Sequence, residues 1–290
     1  MKILYTECGL GNQMFQYAYV RFLEQNGHDQ IWIDSSAPSM HKHNGFELRR
    51  LFPAIDKRGK FVYRPIGWIM HIVSDIFKKG FGFSLETEGE GPTHTQFPKR
   101  AFWLRGYWQT AYFAEQVRPL LMKEFTFIPF TDKTNQALAA EMQACQSVAI
   151  HIRGGDYLWK KHENSFGGIA TTYYYKQAFE YLCTKIENPS FYIFTNDREW
   201  AEKVIPSDIK NITFVENNRG AESFRDMQLM SVCRHNIIAN SSFSWWGAWL
   251  NSNPDKIVIA PNKWFHNETD AFNREMIPNG WITMAIKQPE

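Results

Sequence analysis

From residue 147 to residue 260 the chain alternates between short apolar runs and longer stretches in which apolar positions recur every third or fourth residue. "SVAIHIR", "FYIFTND", "ITFVE", "NIIAN" and "KIVIAP" are runs of the first kind, with the length and the β-branched and aromatic content of buried strands. Between them, "TYYYKQAFEYLCTKI" sets Tyr175, Ala178, Phe179 and Leu182 along one helical face, and "AESFRDMQLMSVCR" sets Phe224, Met227 and Met230 three apart. "REWAEKVI" and "SSFSWWGAWLN" supply two more helices. Strand and helix repeating at this spacing predict β-α-β units on a parallel sheet.

The first half carries the same signal more weakly. "KILYT", the helix "NQMFQYAYVRFLEQNG" and "QIWID" form one further β-α-β unit. "AFWLRGYWQTAYFAEQVRPLLMKEF" reads as strand, turn and helix, and "PFTDKTNQALAAEMQACQ" as a helix after a linker. Residues 38–100 mix Pro, Gly, His and basic residues with no period and yield no ordered prediction. The expectation is therefore two α/β domains, 1–145 and 146–290, with the C-terminal tail packing back on the first. A ligand would lie in the cleft between them, at the carboxyl ends of the strands.

Composition narrows the function classes. The chain has 290 residues, 44% of them hydrophobic and 21% charged, enough for two cores. Lys and Arg exceed Asp and Glu by 32 − 30 = 2, so no global basic field argues for nucleic acid or an anionic membrane. Cys8, Cys145, Cys183 and Cys233 are scattered, unlike a zinc site or a disulfide framework. No leader precedes "KILYTECGLG" and no apolar run is long enough to span a bilayer, which leads us to expect a cytoplasmic protein. Eleven Trp residues contribute to an aromatic content of 16%; most such rings are core, although sugar-binding surfaces also use them.

Four loops follow predicted strands. In "ECGLGNQ" (7–13), Gly9 and Gly11 permit positive φ and close approach before a helix begins. In "HIRGGDY", Arg153 offers a planar fork suited to phosphate oxygens, Gly154 and Gly155 leave backbone N–H groups free to face an anion, and Asp156 stands ready to hold Arg153. In "FTND", Asp197 either accepts from a guanine edge or sugar hydroxyls, or caps the next helix. In "NSSFSWWGAWL", Ser241 or Ser242 caps a helix whose positive end suits a phosphate, and Trp245, Trp246 and Trp249 pack that helix on the sheet. Met14 stands where a dinucleotide fingerprint needs glycine, and there is no P-loop. Nor is there a D-x-D metal clamp or a histidine cluster of ligand spacing, so a bound diphosphate would be neutralised by arginine and helix N–H groups.

"GLGNQMFQYA", "GYWQ", "HIRGGDY", "FTND", "DMQLMS", "NSSFSWWGAWLN" and "APNKWF", in this order from residue 9 to residue 265, resemble the bacterial α-1,2-fucosyltransferases of glycosyltransferase family eleven. The resemblance implies a GT-B-like pair of Rossmann-type domains, GDP-β-L-fucose as donor, inversion at the anomeric carbon and no obligatory metal or cofactor. It implies a galactose-terminated glycan as acceptor, and a place at the inner face of a bacterial membrane if that acceptor is lipid-linked. On the donor side it places His151, Arg153, Gly154, Gly155, Asn196, Asp197, Asp226, Ser241, Ser242 and Phe243. Gly11, Asn12 and Gln13 are placed on the acceptor or sugar side.

Two departures stand out. Many members have two arginines where this chain has Arg153-Gly154, leaving Arg21, Arg105 or Arg219 to supply the second charge. The first-domain loop commonly opens with two glycines, where this chain has Cys8 before Gly9. Arg153 is the expected catalytic cation, and Glu7 and Asp156 are the carboxylates available to take the acceptor proton. The rival readings are a GDP-fucose transferase of other regiochemistry, a carbohydrate-binding protein without transfer activity, and a nicotinamide-dependent dehydrogenase, which Met14 disfavours.

Overall fold

The computed structural model describes residues 2–28, 31–37, 43–62, 69, 72–73, 86–89 and 103–288. The chain divides into two compact units, Met1–Ile128 and Pro129–Glu290. The boundary falls earlier than the one expected after residue 145, because the helix Lys133–Ala144 packs with the second unit. Its Ala139 and Met142 join one cluster with Tyr192, Phe194, Leu229 and Met230.

The first unit holds β1 (Lys2–Tyr5), α1 (Leu10–Gln25), β2 (Ile31–Asp34), α2 (Leu48–Leu51), α3 (Pro53–Arg58), β3 (Phe61–Val62), β4 (Glu86–Gly89), β5 (Trp103–Gly106), α4 (Ala111–Gln116) and α5 (Arg118–Glu124). Its five strands pair in the order β3-β2-β1-β5-β4, every pair parallel. β3 and β4 come from the stretch for which periodicity gave no prediction; at two residues, β3 is too short to carry a pattern. α1 buries Met14, Phe15, Tyr17, Ala18, Val20 and Leu23, so this helix is apolar on more than one face.

The second unit continues with α6 (Lys133–Ala144), β6 (Ser147–Ile152), α7 (Thr172–Lys185), β7 (Ser190–Thr195), α8 (Arg198–Val204), β8 (Ile212–Val215), α9 (Phe224–Val232), β9 (His235–Ile237), α10 (Ser242–Leu250), β10 (Val258–Pro261), α11 (Asp270–Glu275) and β11 (Ile282–Met284). The strands order as β8-β7-β6-β9-β10-β11, again all parallel. Relabelled from β6, this is the 3-2-1-4-5-6 order of a doubly wound nucleotide-binding sheet. Both faces are covered, as a parallel sheet requires. Val148, Ile150, Phe191 and Ile193 point to the face packed by α7, while Ala149, Tyr192 and Phe194 point to the face of α6 and α9.

The C-terminal tail, expected to return to the first domain, belongs to the second unit. β11 is its edge strand, and beyond it Thr171 and Gln177 donate to the carbonyls of Ile286 and Ala285. α10 behaves as predicted: Trp245, Trp246 and Trp249 are fully buried, and the Trp245 indole N–H donates to the Met276 carbonyl at 2.7 Å. Gly247 lets α9 and α10 close together, since a Cβ there would stand 2.9 Å from that of Met230.

Candidate active site

The second sheet reverses its winding between β6 and β9, which lie side by side although α7, β7, α8, β8 and α9 separate them in sequence. Chain leaving β6 crosses to β7 on one side, and chain leaving β9 crosses to β10 on the other. The loops beyond these two strands therefore part and leave a crevice at the carboxyl edge, the place where such sheets bind ligands. "RGGD" follows β6, and "ANSS" follows β9 and leads into α10.

The glycine pair after β6 is tied to the loop after β7. The Gly154 N–H donates to Asn196 Oδ1 and the Gly155 N–H to Asp197 Oδ2, each at 3.0 Å. The other oxygen of Asp197 accepts the Trp200 N–H at 3.0 Å and so caps α8. Thr195 Oγ1 accepts the Asp197 N–H and donates to the Asp197 carbonyl, both at 3.0 Å. The N–H groups of Gly154 and Gly155, expected to face an anion, point to these side chains. Of the two readings of Asp197, guanine acceptor or helix cap, the structure has the cap on one oxygen, and the other oxygen ties the loop.

Arg153 and His151 remain on the strand side of the crevice. His151 is 7% exposed, its Nδ1 has no hydrogen-bond partner, and its ring lies 6.1 Å from that of Phe243, centroid to centroid. Burial, reinforced by the Arg153 guanidinium, drives its pKa down to about 3, so the imidazole is neutral at physiological pH. Tyr175 fixes the strand end by donating to the His151 carbonyl at 2.8 Å. The guanidinium of Arg153 lies over the Tyr157 ring, 5.1 Å from its centroid. Asp156 lies in the 3-10 turn Gly155–Leu158; its side chain is outside the described residues.

On the other side of the crevice Ser241 occupies the N-cap of α10 with extended backbone, but its side chain makes no capping hydrogen bond. The cap expected from Ser241 or Ser242 is thus missing, and the helix opens with uncapped N–H groups and the positive end of its dipole. No acidic residue lies in that first turn. Asn240, just before it, braces the crevice wall by donating to the carbonyls of Phe166 and Trp264 at 2.9 and 3.1 Å.

Asp226 lies elsewhere on the same edge, in the first turn of α9. Asn218 donates to it at 2.8 Å, and Asn218 in turn exchanges hydrogen bonds with the buried Asn135, whose backbone Asp132 caps. Burial raises the Asp226 pKa to about 7, only partly opposed by the Asn218 bond. This asparagine network, which joins α6 to α9, carried no signature in the sequence.

The first sheet also reverses, between β1 and β5, and its loops carry the residues expected on the acceptor or sugar side. Glu7 stands 3.9 Å from the Arg105 guanidinium, and its N–H donates to Gln16 Oε1. Cys8 has φ +66° and its thiol lies 3.3 Å from the Tyr107 hydroxyl. Asn12 accepts from Gln109 at 2.6 Å. Gln13 does not face a sugar: it is fully buried, donates to the carbonyls of Cys8 and Gly45, and accepts the Glu47 N–H. Gly11 is likewise buried inside α1. Positive φ falls on Cys8, not on Gly9 or Gly11 as expected.

Of the three arginines considered for the second positive charge, Arg21 pairs with Glu24 and Glu124 on α1 and α5. Arg105 lies at the end of β5, over the Tyr5 ring. Arg219 is exposed after β8. Among the described residues no group of three or more His, Cys, Asp or Glu gathers as a metal would require, and no helix is long and apolar enough to cross a membrane.

Two parallel sheets, the second in the doubly wound order with a cation and an uncapped helix at its switch point, define an α/β protein built from two Rossmann-like units. The chain belongs to glycosyl transferase family 11, whose model matches residues 3–285. It is 31% identical to an alpha-1,2-colitosyltransferase of Escherichia coli over 94% of this chain and 95% of that protein. It is 25% identical to galactoside alpha-(1,2)-fucosyltransferase 1 of Sus scrofa over 89% of this chain and 67% of that one. Among solved structures, an alpha-1,6-fucosyltransferase, NodZ, soaked with GDP-fucose superposes with a TM-score of 0.47 at 13% identity, covering 88% of this chain and 97% of that one.

Proposed function

We propose that this enzyme transfers L-fucose from GDP-β-L-fucose to the 2-hydroxyl of a terminal β-galactoside, with inversion and without a metal. The observation that carries the proposal is the β6/β9 crevice, where Arg153, the neutral His151 with its Nδ1 lacking a hydrogen-bond partner, and the uncapped end of α10 converge at one switch point. Family membership and the names of the relatives support a GDP-sugar donor and a galactoside acceptor.

The chemistry follows from charge. As the glycosidic bond to the leaving diphosphate stretches, negative charge grows on the phosphate oxygens while the sugar becomes oxocarbenium-like. Arg153 offers a fixed cation and a two-pronged donor to those oxygens, and the N–H groups of α10 add a dipole needing no reorganisation. A neutral His151 donates or accepts one hydrogen bond without adding a charge. Glu7 and Asp156 are the carboxylates proposed to receive the acceptor proton. The base is whichever of Glu7→Gln and Asp156→Asn erases the acidic limb of the kcat/KM profile.

A second reading concerns the donor. Colitose is fucose lacking the 3-hydroxyl, and the colitosyltransferase is a relative along nearly the whole chain. Incubating the enzyme with GDP-fucose or GDP-colitose and a β-galactoside, in the presence of EDTA, and assigning the product linkage by NMR tests both readings. An α-1,2-fucosylated product supports the first. Turnover of GDP-colitose alone selects the second, and no transfer from either donor removes both.

A further inference from the structure

We propose that Asn196 and Asp197 are positioning residues that act through Arg153: they fix the loop that carries the arginine and do not themselves read the nucleobase. The inference rests on the reading of the β6/β9 crevice as the diphosphate site.

The geometry is specific. Two successive side chains after β7 present one oxygen each to two successive backbone N–H groups after β6, both at 3.0 Å. The tie spans neighbouring parallel strands whose last paired residues are Ile152 and Thr195, immediately before the two loops. Arg153 is the residue between the end of β6 and the first tied N–H. Its backbone is therefore held on one side by the sheet ladder and on the other by Asn196. Asp197 is itself immobilised from three directions, by the Trp200 N–H, the Gly155 N–H and the Thr195 hydroxyl.

The glycines are what make this approach possible. A Cβ on Gly154 would stand 2.6 Å from the Asp197 Cβ and 2.8 Å from its Oδ2. One on Gly155, where φ is +58°, would stand 2.8 Å from Asn196 Nδ2. Side chains at either position would force the two loops apart and break the tie. A second arginine at position 154 and the Asp197 tie are therefore mutually exclusive in this backbone. Where relatives often place another cation, this chain places a brace that holds the single arginine.

Substituting Asp197 with Asn separates the brace from the helix cap, because asparagine caps a helix as well as aspartate does. One amide oxygen continues to accept from Trp200, while the amide nitrogen that replaces the other oxygen cannot accept from Gly155. The experiment is a calorimetric titration of GDP and of inosine diphosphate, which lacks the guanine 2-amino group. It is made on the wild type, Asp197→Asn, Arg153→Ala and the double variant, with melting temperature recorded for each.

We expect Asp197→Asn to weaken GDP by about three- to tenfold, the scale of one hydrogen bond. The preference for GDP over inosine diphosphate should not change, and in the Arg153→Ala background the same substitution should have less than about a twofold effect, because coupled residues are not additive. Asn196→Ala, which removes the Gly154 tie, should behave in the same way. An undiminished Asp197→Asn effect in the Arg153→Ala background overturns the proposal, as does a changed preference between the two diphosphates, which would assign Asp197 to the base. If Arg153→Ala leaves GDP affinity intact, the reading of the crevice itself fails.

Discussion

A Cβ added to Gly154 would lie 2.6 Å from the Cβ of Asp197, well inside van der Waals contact. Neither atom can swing away, since one is fixed by the loop backbone tied to Asn196 just after β6 and the other by the cap of α8. Gly154→Ala is therefore expected to destabilise the enzyme by about 1–3 kcal/mol, the usual scale for forcing extra carbon into a closed space. Gly154→Arg, which restores the residue common in relatives, should be at least as damaging and should not raise activity. Chemical denaturation and initial rates on both variants check this.

His151 gives a pH signature. Its pKa is depressed to about 3 in the folded chain, against the ordinary histidine value of 6.5, so the native state disfavours the proton. The stabilisation is complete above about pH 6.5 and is lost progressively as pH falls towards 3, with a slope approaching about 1.4 kcal/mol per pH unit. His151→Gln should flatten that part of the stability curve. No limb of the activity profile between pH 6 and 8 should come from His151, and imidazole resonances followed by NMR would show directly that it stays unprotonated.

Asp226 has the opposite sense. Its pKa is raised from 3.8 to about 7 by burial, so the folded state holds a proton that the unfolded chain has already released. Stability from this group is complete below about pH 4, falls as pH rises towards 7 and is level beyond. Asp226→Asn keeps an oxygen for the Asn218 donor and removes the titration. The variant should melt higher than the wild type at pH 8 and no higher at pH 4. If Asp226 also contacts the donor, the stabilised variant loses turnover.

Cys8 occupies the left-handed region at φ +66°, which costs a residue with a Cβ roughly 1–2 kcal/mol. Cys8→Gly removes that strain, and the gain is reduced by the greater freedom of glycine in the unfolded chain and by loss of the Tyr107 contact. The expected result is a change between zero and about 1 kcal/mol in favour of Cys8→Gly. Cys8→Ala, which keeps the Cβ and loses the thiol, should be destabilising. Equal effects in the two variants would remove strain as the explanation.

The second unit was legible because its strands are uninterrupted apolar runs and its helices carry a face, as in Tyr175-Ala178-Phe179-Leu182. The order of those strands was not legible, since pairing β6 with β9 is a tertiary choice that leaves no local trace. The helix at 133–144 was foreseen but assigned to the wrong side of the boundary. Its partner cluster, Tyr192, Leu229 and Met230, lies far along the chain. β11 has three residues and was missed for lack of length. At the candidate site, types and spacing singled out "HIRGGDY" and "NSSF", but not where their backbone donors go. A glycine pair looks the same in sequence whether its N–H groups face an anion or a neighbouring carboxylate. Gln13 shows the same limit: a polar residue in a glycine-rich loop reads as a ligand contact, yet its amide ties three backbone positions together inside the core.

The central claim is that Arg153 carries the charge of the leaving diphosphate, and its most direct test is turnover of Arg153→Ala with GDP-fucose and a β-galactoside. The variant must be shown folded by a melting temperature close to that of the wild type. Loss of one contact that stabilises transition-state charge corresponds to a fall of roughly 10²–10³-fold in kcat, and Arg153→Lys, which keeps the charge without the fork, should recover only part of it. A folded Arg153→Ala enzyme turning over within about threefold of the wild type, a difference of less than about 1 kcal/mol in the barrier, would contradict the account.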